Sequence, residues 1–196
     1  MIVLDIETTG ADPNVHSIVS IGAVDFTDPK NQFYAECQIW DGAHVEPSAL
    51  AVNGFSEEEI RDPQKPSESE AVKAFFDWLA ERTSHVIAGH NPSFDIGFLQ
   101  SAAKRYGIDF PLARRSIDLH TIAFTHMIQK GNSPPLKNGK SDLNSDKVME
   151  YVGIPAEPKP HKAINGAIWE SEALSRLLFD RNLLPQFASH PIPWVS

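Results

Sequence analysis

The chain has 196 residues, of which 41% are hydrophobic and 22% are charged, and its formal net charge is −9. The length and composition are ordinary for one globular domain with a sizeable core. The negative charge argues against a protein that coats nucleic acid by bulk charge, because such proteins are usually basic, but not against an enzyme that grips one strand end through metal ions.

The cysteine content and the hydrophobic segments indicate the cellular compartment in which the protein is expected. Cys37 is the only cysteine, which excludes an intrachain disulfide and favours a reducing, cytoplasmic location. We expect no signal peptide, because a predicted strand begins at residue 2. No stretch approaches the ~20 apolar residues that span a bilayer, so we expect no membrane association.

The first half of the chain predicts strands followed by helices. Predicted strands cover residues 2–4 (running into an acidic pair), 15–26 and 33–40, with a turn at 28–31. Short helical pieces are expected over 45–61. Ser67 and Glu70 form a capping-box pattern that opens an amphipathic helix through Leu79.

The second half alternates strands and helices. The pattern predicts strands at 86–88 and ending at Ile117, a mobile loop over 130–142, and helices over 92–106, 119–128, 143–152 and 163–179. This order predicts an α/β domain with a mixed sheet flanked by helices. We expect one domain over 1–184 and a C-terminal tail over 185–196 that lies along the surface.

Asp5 and Glu7 are the most informative pair in the sequence. They end a predicted buried strand, and side chains at i and i+2 project from the same face of a strand. Two carboxylates on one face repel each other unless a cation lies between them. Oxygen ligands suit Mg²⁺ and Mn²⁺. The alternative is a solvated strand edge.

Two further residues stand at helix starts. Asp95 lies in the first turn of a predicted helix, where it could face the end of a neighbouring strand or simply complement the helix dipole. His161 precedes the last amphipathic helix, where it could be a cap, a surface residue or a functional group.

Taken together, these segments resemble the DEDDh, or DnaQ-like, exonuclease family. Residues 5–10 (DIETTG) resemble its first motif, 90–95 (HNPSFD) its second, and 161–164 (HKAI) the start of its third. The resemblance covers about residues 1–180, and the first two motifs in this order are specific.

The resemblance implies a ribonuclease H-like fold and 3′–5′ exonuclease activity with two divalent ions, Mg²⁺ or Mn²⁺. Two ions ~4 Å apart clamp the scissile phosphate in such sites. Asp5 would bridge both ions, Glu7 would bind the ion on the side of the attacking water, and Asp95 would hold the other. His161 would be the general base. The residues implied to contact substrate are Thr8, Thr9, Gly10, Asn91 and Phe94.

The sequence departs from the family pattern at Gly166. The family's fourth acidic residue falls five positions after the histidine, where this chain has glycine. Glu170, one helical turn later, could substitute for it; alternatively it is a helix-surface charge. A water could also replace the carboxylate and leave a weak enzyme, or the site has lost activity. If the missing carboxylate weakens the ion on the side of the attacking water, Gly166→Asp should restore that ion.

Two function hypotheses follow. The first is a metal-dependent 3′–5′ exonuclease acting on DNA or RNA, with single-stranded 3′ ends the more favoured substrate and a polymerase or other protein as partner. The second is an exonuclease-like module that binds a nucleic-acid end or a protein partner without cleavage. No residue in the sequence identifies DNA or RNA, which differ by the 2′-hydroxyl.

Overall fold

The computed structural model describes residues 1–113 and 115–195 and contains a five-stranded mixed sheet. The strand order is β3-β2-β1-β4-β5. The pairs β1–β2 and β2–β3 are antiparallel, whereas β1–β4 and β4–β5 are parallel. The strands are β1 Ile2–Thr8, β2 Ile18–Asp25, β3 Gln32–Glu36, β4 Ile87–Gly89 and β5 Ile117–Asp118.

Helices cover both faces of this sheet, as the sequence predicts. They are α1 Pro47–Asn53, α2 Glu68–Ala80, α3 Pro92–Tyr106, α4 Leu119–Gln129, α5 Ser145–Tyr151 and α6 Ala163–Phe179, with 3₁₀ turns at Glu59–Arg61 and Pro185–Phe187. The capping box predicted at Ser67 and Glu70 is present at the start of α2. No helix within the described residues has the length and apolar character needed to cross a bilayer.

Strand β1 separates two hydrophobic clusters. Ile2, Leu4 and Ile6 pack with α2 and α3 on one face. Val3 packs with α4, α5 and α6 on the other. Because side chains alternate along a strand, Asp5 and Glu7 share the face of Val3, which α6 covers.

Gly22 allows α6 to lie directly on the sheet. It is the partner of Asp5 in the register between β1 and β2. A Cβ at this position would overlap the backbone of Ala163, the first residue of α6. The missing side chain therefore brings the start of α6, including Gly166, over Asp5.

Two predicted strands are shorter in the structure. The strand predicted over 33–40 ends at Glu36, because the following backbone bonds other segments: Gln38 N–H donates to Pro66 O and Ile39 N–H to Ile60 O. The strand predicted over 15–26 begins at Ile18, since the His16 N–H closes a turn on Asp12 O.

The loop predicted over 130–142 contains a small hairpin. Strands β6 (Leu136–Lys137) and β7 (Lys140–Ser141) pair antiparallel. Asn138 and Gly139 connect them with positive φ values of 52° and 74°. An Asn-Gly pair is a strong two-residue hairpin signal, so the sequence did carry this information.

The C-terminal tail is joined to the domain more closely than predicted. Phe187 is only 2% exposed and belongs to the cluster beneath α6. The buried guanidinium of Arg176 donates to the carbonyl oxygens of Phe187 and His190 and pairs with Glu172. The tail therefore contributes to the core at Phe187, while the boundary at 184/185 remains a prediction.

Candidate active site

Asp5 lies at the centre of the candidate site, under the first turn of α6. A Cβ added at Gly166 would overlap Oδ2 of Asp5 and lie 2.7 Å from its Cγ. The Asp5 carboxylate thus occupies the space that a side chain at position 166 would need. Any residue larger than glycine there requires Asp5 to rotate.

Asp95 is brought to β1 by a long-range hydrogen bond. Its Oδ1 accepts from the backbone N–H of Ile6, at 3.0 Å, between the two acidic residues of β1. Asp95 is 4% exposed and lies in the first turn of α3. The structure therefore places Asp95 beside Asp5 and Glu7, as the sequence motifs predict.

Glu170 is buried rather than exposed on the helix surface. It is 5% exposed, and its Oε2 accepts from the backbone N–H of His90 at 3.0 Å. A Cβ at Gly89 would lie 3.3 Å from the same oxygen. Glycine at the end of β4 therefore leaves room for the Glu170 carboxylate next to the sheet.

The carboxylates raise one another's pKa values. The pKa of Asp5 is raised well above its ordinary value by burial first, then by the charges of Glu170, Asp95 and Glu7. Burial raises the pKa of Glu7 to about 8, with Glu157 adding to it. Burial also raises the pKa of Asp95 to about 8, against the Ile6 N–H bond that lowers it. The pKa of Glu170 is likewise raised. A bound cation would relieve this repulsion.

The donor chemistry of this cluster fits a hard divalent ion. Its polar atoms are carboxylate oxygens, which Mg²⁺ and Mn²⁺ prefer. Across residues 1–113 and 115–195, however, no three His, Cys, Asp or Glu side chains already form a group that could hold a metal ion. The fit therefore rests on donor type and mutual repulsion, not on a preformed ligand geometry.

His161 lies at the entrance to α6 but does not cap it. The N-cap residue is Lys162, and that cap has no side-chain hydrogen bond. The His161 N–H donates to Val52 O, and its Nδ1 lies 3.5 Å from Glu157 Oε2. Its side chain lines a cleft of about 360 Å³ with Ala51 and Pro160. The imidazole is therefore accessible from outside the fold.

In the Thr8–Gly10 segment, both threonine hydroxyls are already hydrogen-bonded to backbone carbonyl oxygens. Thr8 Oγ1 donates to Gly10 O, and Thr9 Oγ1 donates to His44 O. A Cβ at Gly10 would overlap the ring of His16. These residues can offer a substrate mainly backbone groups, and their predicted contact with substrate remains a prediction.

Asn91 and Phe94 flank the start of α3. Asn91 adopts φ 58° and its N–H donates to Asp118 Oδ1 at 3.0 Å. Phe94 is half-buried and packs on Phe98, with ring centroids 4.9 Å apart. Their predicted role in substrate binding remains a prediction.

Glu157 is the carboxylate that the sequence did not single out. It lies in the loop before α6, and its charge raises the pKa values of Glu7, Asp5 and Glu170. The loop has no hydrophobic periodicity that would place a side chain. The one available signal is the spacing of four residues from the candidate base, His161.

Comparison with known sequences gives a family match over most of the chain. Residues 2–167 match the family described as exonuclease (RNase_T). A PolC-type DNA polymerase III of Thermotoga petrophila is 29% identical over 167 residues, 85% of this chain and 11% of the relative. Ribonuclease T of Klebsiella pneumoniae is 27% identical over 122 residues, 55% of each chain. The epsilon subunit of DNA polymerase III of Buchnera aphidicola is 27% identical, over 90% of this chain and 70% of the relative.

Solved structures confirm the ribonuclease H-like fold. The nuclease domain of 3′hExo, described as a DEDDh family member bound to rAMP, aligns with a TM-score of 0.71 at 14% identity over 93% of both chains. E. coli exonuclease I in complex with a dA13 oligonucleotide aligns with a TM-score of 0.70 at 18% identity, over 92% of this chain and 41% of that one.

Proposed function

Because this chain belongs to the exonuclease family, we propose that it is a metal-dependent 3′–5′ exonuclease. It hydrolyses phosphodiester bonds at the 3′ ends of DNA or RNA. The predicted family resemblance is confirmed by the match over residues 2–167. The chain spans 11% of the length of the PolC-type polymerase and 55% of the length of ribonuclease T. Its activity is therefore proposed from its own residues.

The observation that carries the proposal is the carboxylate cluster under α6. Asp5 and Glu7 of β1 meet Asp95 of α3 and Glu170 of α6. None of the ion pairs within the described residues includes one of these four. Repulsion between buried, unpaired carboxylates destabilises the fold. Cation binding would explain why these four side chains are present together.

Asp5, Glu7 and Asp95 would hold two divalent ions, with Asp5 shared between them. Bound Mg²⁺ or Mn²⁺ would lower the pKa of the attacking water and offset charge on the scissile phosphate. The protein's part is to hold Asp95 in place through the Ile6 N–H and to cover the cluster with α6. Glu170 adds negative charge on the side of Asp95.

His161 would take the proton from the attacking water. A neutral imidazole is suited to this at physiological pH. Its side chain is 25% exposed and lines an open cleft, so the imidazole can be reached from solvent. The backbone of the Thr8–Gly10 segment would lie against the terminal nucleotide.

A ladder assay tests this function directly. Single-stranded DNA and RNA carrying a 5′ label are incubated with Mg²⁺ and then Mn²⁺. We expect stepwise shortening from the 3′ end, and loss of that shortening in Asp5→Asn, because this change weakens both ions at once. Cleavage that survives in Asp5→Asn would place the activity elsewhere.

Gly166 supports a second candidate function, an exonuclease-like module that binds strand ends without cutting them. A carboxylate expected at this position is absent. Under this alternative, the wild-type protein binds a 3′-ended oligonucleotide in Ca²⁺ or Mg²⁺ and leaves it intact in both metals. Detectable shortening by the wild-type protein excludes it.

Single-stranded 3′ ends are the proposed substrate, and a polymerase is the proposed partner. The first is supported by the structures of E. coli exonuclease I in complex with dA13 and dA16 oligonucleotides. The second is supported by two relatives that are named as parts of DNA polymerase III. A cytoplasmic location remains a prediction from the single cysteine.

A further inference from the structure

Glu157 and His161 form a close contact that the proposed chemistry does not yet use. Oε2 of Glu157 lies 3.5 Å from Nδ1 of His161, four residues along the chain. Imidazole carries its two nitrogens on different sides of the ring, so a carboxylate at Nδ1 leaves Nε2 free for another partner. The hydrogen bond at one ring nitrogen sets which nitrogen carries the proton.

The Glu157 carboxylate is held in place from its other oxygen. Oε1 accepts from the backbone N–H of Lys162, the N-cap residue of α6, at 3.2 Å. The Glu157 side chain is only 9% exposed. The loop is also tied to α6 by Trp169, whose Nε1–H donates to Pro155 O at 2.9 Å. A buried carboxylate that is anchored in this way can fix the orientation of a neighbouring imidazole ring.

Within the described residues, the polar contacts of His161 are its backbone hydrogen bond and this approach to Glu157. Its N–H donates to Val52 O of α1. Within the described residues, its ring makes no hydrogen bond, and its side chain is 25% exposed. Without Glu157, the ring would be free to rotate in the cleft.

The pair stands next to the carboxylate cluster. After burial, the charge of Glu157 raises the pKa of Glu7. It also acts on Asp5 and Glu170. Lys162, whose N–H bonds Glu157, is the N-cap of α6, and Gly166 in the first turn of that helix lies against Asp5. The two residues are therefore at the edge of the site where the proton would be transferred.

We propose that Glu157 is a positioning residue for His161. It accepts the Nδ1–H of the imidazole, so that Nε2 presents its lone pair to the attacking water, and it stabilises the imidazolium that forms when the proton moves to Nε2. This inference rests on the proposed function, in which His161 is the general base. It gives the loop before α6 a chemical role, and this role does not depend on the residue at position 166.

The test uses Glu157→Gln, Glu157→Asp and, as a matched control, Glu57→Gln on an exposed loop residue. We expect Glu157→Gln to lower kcat about tenfold to hundredfold, the range found when the carboxylate partner of a metal-binding histidine is removed, with KM unchanged and Mn²⁺ affinity changed far less than in Asp5→Asn. Glu157→Asp should recover part of the loss. Glu57→Gln should leave kcat unchanged.

Combining the change with His161→Ala identifies the route by which Glu157 acts. If Glu157 acts through His161, Glu157→Gln has no further effect on the rate in the His161→Ala background. An equal loss in both backgrounds overturns the proposal. A loss of Mn²⁺ affinity in Glu157→Gln as large as that in Asp5→Asn also overturns it, because Glu157 would then be a metal ligand.

A spectroscopic measurement separates this inference from the exonuclease function itself. Nitrogen-15 NMR of the His161 ring reports its tautomer without any substrate. We expect the Nδ1–H form in the wild type and a shift toward the Nε2–H form in Glu157→Gln. A tautomer unchanged by Glu157→Gln overturns the positioning role, whereas absence of cleavage with this tautomer present counts against the exonuclease function alone.

Discussion

His161 can be separated experimentally from the carboxylates, because it is not among the proposed metal ligands. His161→Ala should reduce the cleavage rate by roughly 10²–10⁴-fold, the usual contribution of general acid–base catalysis. Mn²⁺ binding and binding of a 3′-ended oligonucleotide should remain nearly intact. Single-turnover kinetics with isothermal titration would measure both, and a mild effect on the rate would remove His161 from the catalytic step.

Gly166 raises a question that a pair of substitutions can answer. Both Gly166→Ala and Gly166→Asp place a Cβ against the Asp5 carboxylate, so both force Asp5 to rotate. Only the second adds an oxygen ligand. We expect Gly166→Asp to cleave at least ~10-fold faster than Gly166→Ala and to bind Mn²⁺ more tightly, because carboxylate charge strengthens the activating ion.

Gly166→Ala is the necessary reference because any side chain at position 166 displaces the Asp5 carboxylate, a cost that the sequence did not show. A gain of Gly166→Asp over the wild type requires the new ligand to outweigh the displacement of Asp5. Equal rates for the two variants would mean that a carboxylate at position 166 does not reach the metal. Loss of activity in Glu170→Ala alongside that result would assign the missing ligand to Glu170.

At the scale of secondary-structure elements, Gly22 controls how closely α6 approaches the sheet. Gly22→Ala should destabilise the protein by about 1–3 kcal/mol, the usual cost of overpacking, because its Cβ overlaps backbone of Ala163 that cannot rotate away. Chemical denaturation followed by circular dichroism would measure this loss. It should also weaken Mn²⁺ binding, since α6 shifts away from Asp5.

Gly97 supplies the matched control within α3. A Cβ there has nothing within 4 Å. Gly97→Ala should therefore stabilise the protein by up to about 1 kcal/mol through helix propensity alone. A Gly22→Ala protein as stable as the wild type would show that the close approach of α6 to Gly22 does not limit stability.

For the molecule as a whole, the carboxylate cluster links stability to pH and metal. The pKa values of Glu7 and Asp95 are raised to about 8 in the folded state, from ordinary values of 4.5 and 3.8. The folded protein therefore binds more protons than the unfolded chain between these limits. Its free energy of unfolding falls as pH rises through this window, so this contribution is fully present below pH 4 and lost above pH 8.

Divalent metal should reverse that loss. At pH 8, saturating Mn²⁺ should raise the melting temperature by about 5 °C or more, given the usual gain from a ligand well above its Kd. At pH 5.5 the gain should be smaller, because protons compete for the same oxygens. Differential scanning fluorimetry of the wild type and Asp5→Asn would measure this, and an equal shift in both proteins would place metal binding outside the cluster.

The sequence alone indicated most of the helices and strands and the candidate site residues. Period-two alternation placed Asp5 and Glu7 on one face of β1, and the capping box located the start of α2. Three short motifs were enough to indicate the family, because each combines chemistry-bearing residues with its own local structure. These features depend on neighbours within a few residues, which is why they can be read without a fold.

Only the tertiary structure decided how the site is assembled. The Asp95 bond to Ile6 joins residues 89 positions apart, and the Glu170 bond to His90 joins residues 80 apart. The contact between Gly166 and Asp5 depends on Gly22 admitting α6. Such contacts arise from packing between distant segments, and no spacing along the chain encodes them.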